Sequence, residues 1–122
     1  MSVKIDAAAF ADRWISDWNR KDVEAVLSHF SEGAVFTSPR ATAVLGSPRV
    51  QGKKQLREYW TQAIRRIQTM RFTLDYVIAD GKRIGMVYVS EINGKKLRSV
   101  ELLCFGEDGL IREGEAMQGI EL

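Results

Sequence analysis

The chain has 122 residues, 45% hydrophobic and 28% charged, with a formal net charge of +2. That length builds one domain with a real core unaided by disulfides or metals, and that composition excludes disorder. Its basic residues are scattered singly or in pairs among acids, as at Lys53-Lys54, Arg65-Arg66 and Lys95-Lys96, which excludes the basic stripe of a nucleic-acid surface.

Asp6 is placed to cap a first helix over Ala7 to Arg20, because its short side chain accepts from the free amides of the first turn. Phe10, Trp14 and Trp18 recur at four-residue spacing and give that helix one buried face. After the break at Asn19-Arg20-Lys21, Asp22 caps a second helix running through Val23, Val26 and Leu27 to about Phe30. Ser31-Glu32-Gly33 ends it. Ala34-Val35-Phe36-Thr37 then has strand chemistry up to Ser38-Pro39, since proline cannot donate to a central ladder. Arg40 to Gln51 is rich in Gly, Ser, Pro and small residues, and is expected to be one long loop of the kind that often carries function. Lys53 to Ile67 returns to helical spacing through Leu56, Tyr59, Trp60, Ala63, Ile64 and Ile67.

Beyond Arg71 the period changes to that of strands, over about Phe72 to Ala79, Arg83 to Ile92, Leu97 to Phe105 and Leu110 to Ile120. Asn93-Gly94 between two of them is a type I′ hairpin signal, since both positions take positive φ. A two-residue turn there pairs Ile92 with Lys95, Tyr88 with Ser99 and Met86 with Glu101 on one face. It sets Val87 against Val100, Val89 against Arg98 and Glu91 against Lys96 on the other. Both faces are apolar near the middle, so one is expected to meet the helices and the other a partner subunit.

Cys104 is the single cysteine, which rules out an intramolecular disulfide or a multi-thiolate metal site and suits a reducing compartment. No apolar run approaches membrane-spanning length, and Met1 to Asp6 lacks the apolar stretch of a signal peptide. The expected address is the cytoplasm, without membrane partners. No dinucleotide, phosphate or metal motif is present, so no cofactor is expected.

In order and spacing, several segments together resemble the nuclear transport factor 2-like superfamily in its bacterial SnoaL-like branch. They are Asp22 to Leu27 with Phe30, Ala34 to Pro39, Val50 to Lys53 with Leu56 and Tyr59-Trp60, and Val100 to Phe105 before Asp108-Gly109. The resemblance covers nearly the full length. It implies an α+β cone, a curved and mostly antiparallel sheet around three helices enclosing a hydrophobic cavity, and a homodimer through the outer sheet face. Among related folds, ketosteroid isomerases align without a gap from Trp14 to Pro39. Their general-base aspartate falls on Ser38, their oxyanion-hole tyrosine on Trp14, and their second oxyanion donor, a carboxylic acid, on Glu101. Only Glu101 keeps its chemical type. A serine hydroxyl is no unaided base and an indole N–H does no acid-base work, so isomerisation by that route is not expected; polyketide cyclisation is weakened by the same missing base.

Glu101 is therefore the candidate catalytic residue. The hairpin register puts it on the face of Met86, Tyr88, Ser99 and Leu103, and a carboxyl among apolar neighbours has the raised pKa of a general acid. Its bland alternative is a structural bond to Trp14 or Tyr88. Trp14, Ser38, Trp60, Met86, Tyr88, Ser99, Leu103, Ala116 and Gln118 are the candidate ligand-binding residues. Trp14, Trp18, Tyr59 and Trp60 have the spacing of ordinary core aromatics, and Ser38 suits capping of the turn before Pro39. Strand alternation groups Gly114, Ala116 and Gln118 on one face and Glu113 and Glu115 on the other. By resemblance the first group lines the cavity, its two small members leaving room for a ligand. His29 is assigned a surface or helix-capping role, Cys104 a place away from the cavity, and Arg40 and Arg49 the rim. The function expected is binding of a small, largely apolar molecule, with proton transfer through Glu101 in an isomerase, cyclase or dehydratase type of reaction. A ligand carrier or sensor, or a protein-interaction module of the same fold, is the alternative.

Overall fold

The computed structural model describes residues 4–122, so Met1 to Val3 of the expected leader-free N-terminus lie outside the described residues. Helix α1, Ala7–Asn19, is capped by Asp6, whose carboxylate accepts from the Ala9 amide at 3.1 Å. Asp22 does the same for α2, Val23–Leu27. This second helix is shorter than its apolar spacing predicts. The Ser28 hydroxyl bonds back to the Ala25 carbonyl at 2.6 Å, and the His29 carbonyl accepts from Ile111 at 2.8 Å. Phe30 thus opens strand β1, Phe30–Thr37, rather than closing a helix.

The expected long loop holds two elements. A short helix α3, Ala41–Leu45, ends at Gly46 with φ 80°, and a short strand β2, Arg49–Gln51, pairs with β1. Helix α4 follows over Gly52–Arg65 and buries Leu56, Tyr59 and Trp60.

The remaining strands are β3 (Met70–Asp80), β4 (Arg83–Ile92), β5 (Lys95–Phe105) and β6 (Ile111–Glu121). With β1 and β2 they form one curved, unclosed sheet in the order β2-β1-β6-β5-β4-β3, antiparallel except where β1 meets β6. The fold is α+β, with the helices on the inner face. The β4–β5 register is the one the hairpin signal predicts, including Tyr88 opposite Ser99 and Met86 opposite Glu101. Asn93 and Gly94 take φ of 51° and 83°. The Asn93 side chain also accepts from the Gln68 and Thr69 amides at 2.8 and 3.1 Å, tying the turn to the segment that joins α4 to β3. Asn19 at the end of α1 bonds both ways to the Phe72 backbone, at 2.7 and 2.9 Å, and so joins α1 to the sheet edge.

Inside, Trp60 is the hub of an aromatic lattice, with Trp18, Phe30 and Phe36 rings 5.1 to 5.4 Å from it in edge-to-face contact. Gly114 is part of that packing. A Cβ there would stand 2.7 Å from the Phe36 ring and 3.0 Å from Leu103, so Phe36 and Leu103 take the space that a small residue was expected to leave to a ligand.

Candidate active site

Between α4, the end of α1 and the inner sheet face lies a cavity of ≈ 90 Å³. Its apolar lining comes from Trp18, Trp60, Ile64, Ile67 and Phe72. Its polar lining carries hydroxyl and carboxyl groups from Ser38, Tyr59, Tyr88, Ser90, Ser99 and Glu101, with Arg40 and Gln118. The division follows from the elements. The α4 spacing turns aliphatic residues inward, whereas the inward alternates of β4 and β5 happen to be Tyr88, Ser90, Ser99 and Glu101.

Glu101 is 7% exposed. Burial pushes its carboxyl up to about 8, against the opposing effects of the Tyr88 hydrogen bond and the Arg40 charge, so it is mainly protonated at neutral pH. The Tyr88 hydroxyl donates to Oε1 at 3.0 Å, while Oε2 is buried without a protein partner. The acid's own proton then belongs on Oε2, where it is free to be donated. Burial, with the neighbouring Glu101 charge, holds the Tyr88 phenol well above its ordinary range. Burial also raises Tyr59, partly offset by its bond to Ser38. Neither phenol is a base at neutral pH. Ser38 Oγ lies 3.1 Å from the Tyr59 hydroxyl, so the position matched to the isomerase base is engaged with a phenol.

The cavity brings together Ser38, Trp60, Tyr88, Ser99, Glu101, Ala116 and Gln118. Trp14, Met86 and Leu103 lie outside its lining. Trp14 is packed among Phe10, Trp18 and Phe30 with its Nε1 buried and unpartnered, so its N–H is not presented to a ligand. Met86 and Leu103 share the inner face of Glu101, but the core closes over them, with Leu103 seated against Gly114. Tyr59 and Ser90, which the sequence reading left out of the binding set, belong to the lining, and so does Arg40. Both had a signal: Tyr59 shares the inward α4 face, and Ser90 lies one strand alternation from Tyr88.

His29 is not at the cavity. Its Nε2 lies 3.1 Å from Asp17, whose other oxygen takes Arg20 at 2.7 Å, forming a half-buried clasp between α1 and the start of β1 in place of the expected surface or capping role. Cys104, Glu113 and Glu115 lie along a groove on the outer face of the sheet. Among the described residues no helix is long and apolar enough to cross a membrane, and no group of three or more His, Cys, Asp and Glu is arranged to hold a metal ion.

Residues 11–114 match the family model of the SnoaL-like domain. The chain belongs to the SnoaL-like family. A SnoaL-like protein of unknown function from Burkholderia thailandensis is 29% identical, with a TM-score of 0.83 over 93% of this chain and 95% of that one. A provisionally assigned ketosteroid isomerase from Kribbella flavida shares the fold at 18% identity, with a TM-score of 0.72 over 92% and 76% of the two chains. TerC, co-crystallised with polyporic acid, shares it at 16% identity, with a TM-score of 0.76 over 92% and 90%. No curated protein is similar enough in sequence to match.

Proposed function

We propose that this SnoaL-like protein binds a small, largely apolar molecule in the inner cavity and transfers a proton to it from Glu101. The observation that carries this reading is Glu101 itself, a residue of the cavity lining whose Oε2 is buried and without a protein partner. A buried polar group left unsatisfied costs on the order of 1–3 kcal/mol, a cost removed when a ligand oxygen accepts from it. Donation to a carbonyl oxygen polarises it toward the enol, and donation to a hydroxyl assists its departure as water. Both fit cofactor-free isomerase, cyclase or dehydratase chemistry. TerC's co-crystal with polyporic acid is a precedent for small-molecule binding in this fold.

A second reading, a ligand carrier or sensor, is favoured by one feature of the lining. Among the described residues of the lining Glu101 is the only carboxyl group and there is no imidazole, so none of them is a separate base for the acid. Native mass spectrometry of protein taken from its source cells tests both. A retained small molecule converted by the wild type and not by Glu101→Gln supports the enzyme; one retained but never converted supports the carrier. An empty cavity in every preparation overturns both in favour of an interaction module.

The cytoplasm remains the address we propose, with a second copy of the chain as partner. The outer sheet face exposes Tyr76, Ile78, Leu102 and Met117 beside a groove of ≈ 680 Å³, an apolar area of the kind that marks an interface.

A further inference from the structure

The polar wall of the cavity holds more hydrogen-bond donors than the protein itself uses. Ser99 donates to Ser90 at 3.3 Å, and the two residues are 1% and 3% exposed. Two hydroxyls joined by one bond leave one proton over, here on Ser90, and that proton has no acceptor among the described residues. Ser38 and Tyr59 are joined in the same way, with one proton over. Glu101 supplies the third free donor from Oε2. Each hydroxyl oxygen also keeps lone pairs and Gln118 offers both a donor and an acceptor, but Arg40 is a donor alone and, with the Glu101 proton, tips the lining toward a ligand that accepts.

The donors are also separated. Ser99 and Glu101 are alternate residues of β5, about 7 Å apart along the strand. Ser90 sits diagonally beyond Ser99, on the side away from Glu101, because Tyr88 pairs with Ser99 and Met86 with Glu101. A ligand with one acceptor satisfies only one end of this wall. Around it the lining is aromatic, with Phe72 paired to Ser90 across β3 and β4 and Trp18 and Trp60 contributed by the helices.

We propose that Ser90 and Ser99 form a second hydrogen-bonding station, and that the ligand is a small apolar frame with acceptor oxygens on opposite edges, one held by Glu101 and the other by Ser90. This rests on the reading of the cavity as a ligand site with Glu101 as donor. The station sets ligand orientation: it decides which of two oxygens faces the acid and so where a proton is delivered. Ser90 and Ser99 are positioning residues in this scheme, and Glu101 remains the group that meets the reacting oxygen.

Cyclohexane-1,4-dione and cyclohexanone are the probes, matched in size and differing in the second acceptor. Their dissociation constants are read from NMR titrations of wild type, of the Ser90→Ala/Ser99→Ala variant and of Glu101→Leu. Removing both members of a buried hydroxyl pair leaves no orphaned partner, so the double variant is expected to fold. Wild type is expected to hold the dione about tenfold tighter than the monoketone, the worth of one well-placed hydrogen bond. The serine variant should lose that preference, with the dione weakened more than cyclohexanone, whereas Glu101→Leu should weaken both ketones. Equal binding of the two ketones by wild type, or a preference that survives loss of the serines, overturns the second station. An unchanged monoketone affinity in Glu101→Leu overturns the role of Glu101 instead. If neither ketone shifts any cavity resonance of the wild type, the ligand-site reading falls and this inference falls with it.

Discussion

The Tyr88 phenol donates to Oε1 of Glu101 at 3.0 Å, and so holds a protonated carboxyl whose second oxygen has no protein partner. An acid whose pKa is higher folded than unfolded binds more protons in the folded state between the two values, and raising the pH through that window removes stability. For Glu101 the window runs from the ordinary 4.5 to about 8. Its contribution is complete below the lower value, declines by about 1.4 kcal/mol per pH unit across the window, and is gone above the upper one. Glu101→Gln keeps the shape and removes the titration. Denaturant unfolding of both proteins should show the variant gaining on wild type as the pH rises from about 5 to about 8. A stability difference that is flat with pH contradicts a raised Glu101.

Tyr88→Phe deletes the donor and leaves Oε1 as well as Oε2 without a partner. A loss of about 1–2 kcal/mol is expected, the usual cost of orphaning a buried acceptor. Because the phenol bond lowers the Glu101 pKa against the effect of burial, its removal should raise that pKa further. Carboxyl carbon NMR across a pH titration reads this directly. A Glu101 titration that stays in place shows that the bond has no hold on the acid.

The sheet side of this site was legible in the sequence because Asn93-Gly94 dictates a two-residue turn, and a two-residue turn dictates every pair down the hairpin. Tyr88, Ser99 and Glu101 come together by counting. The start of β1 was not legible. Phe30 fits the helical spacing of Val23, Val26 and Leu27, and what makes it a strand is its parallel pairing with Ile111, a contact 81 residues away that no local pattern records. The exclusion of Trp14 from the cavity was hidden for a similar reason. Its helix face was correctly inward, but Phe10, Trp18 and Phe30 reach it before any ligand does. Likewise Gly114 has the size that makes room, and only the position of Phe36 shows that the room is taken.

Gly114→Ala tests that close packing. Its Cβ would come 2.7 and 2.9 Å from two atoms of the Phe36 ring, forcing the ring or strand β6 to move. Such overpacking costs about 1–3 kcal/mol. Phe36→Leu costs stability alone by leaving a void, but in the double variant the two changes should offset each other. A double-mutant cycle by denaturant unfolding should therefore return a coupling of about 1 kcal/mol or more. Simple additivity contradicts the idea that the glycine exists for the ring.

The outer sheet face supplies the last prediction. Ile78, Leu102 and Met117 are 58%, 41% and 40% exposed on strands β3, β5 and β6. The groove beside them carries both signs of charge, Arg49 and Arg83 against Asp80, Glu113 and Glu115. A surface that is apolar at its centre and bears both charges at its margins is suited to a two-fold copy of itself, since each basic group then has an acidic group to face. Sedimentation equilibrium should give twice the chain mass at micromolar concentration. Leu102→Glu puts an unpaired charge at the centre of that contact and should shift the particle toward the monomer, with the Tyr88 and Glu101 resonances unmoved because they lie on the opposite face. A wild type that is monomeric at every concentration tested removes the dimer and leaves the apolar face to a different protein.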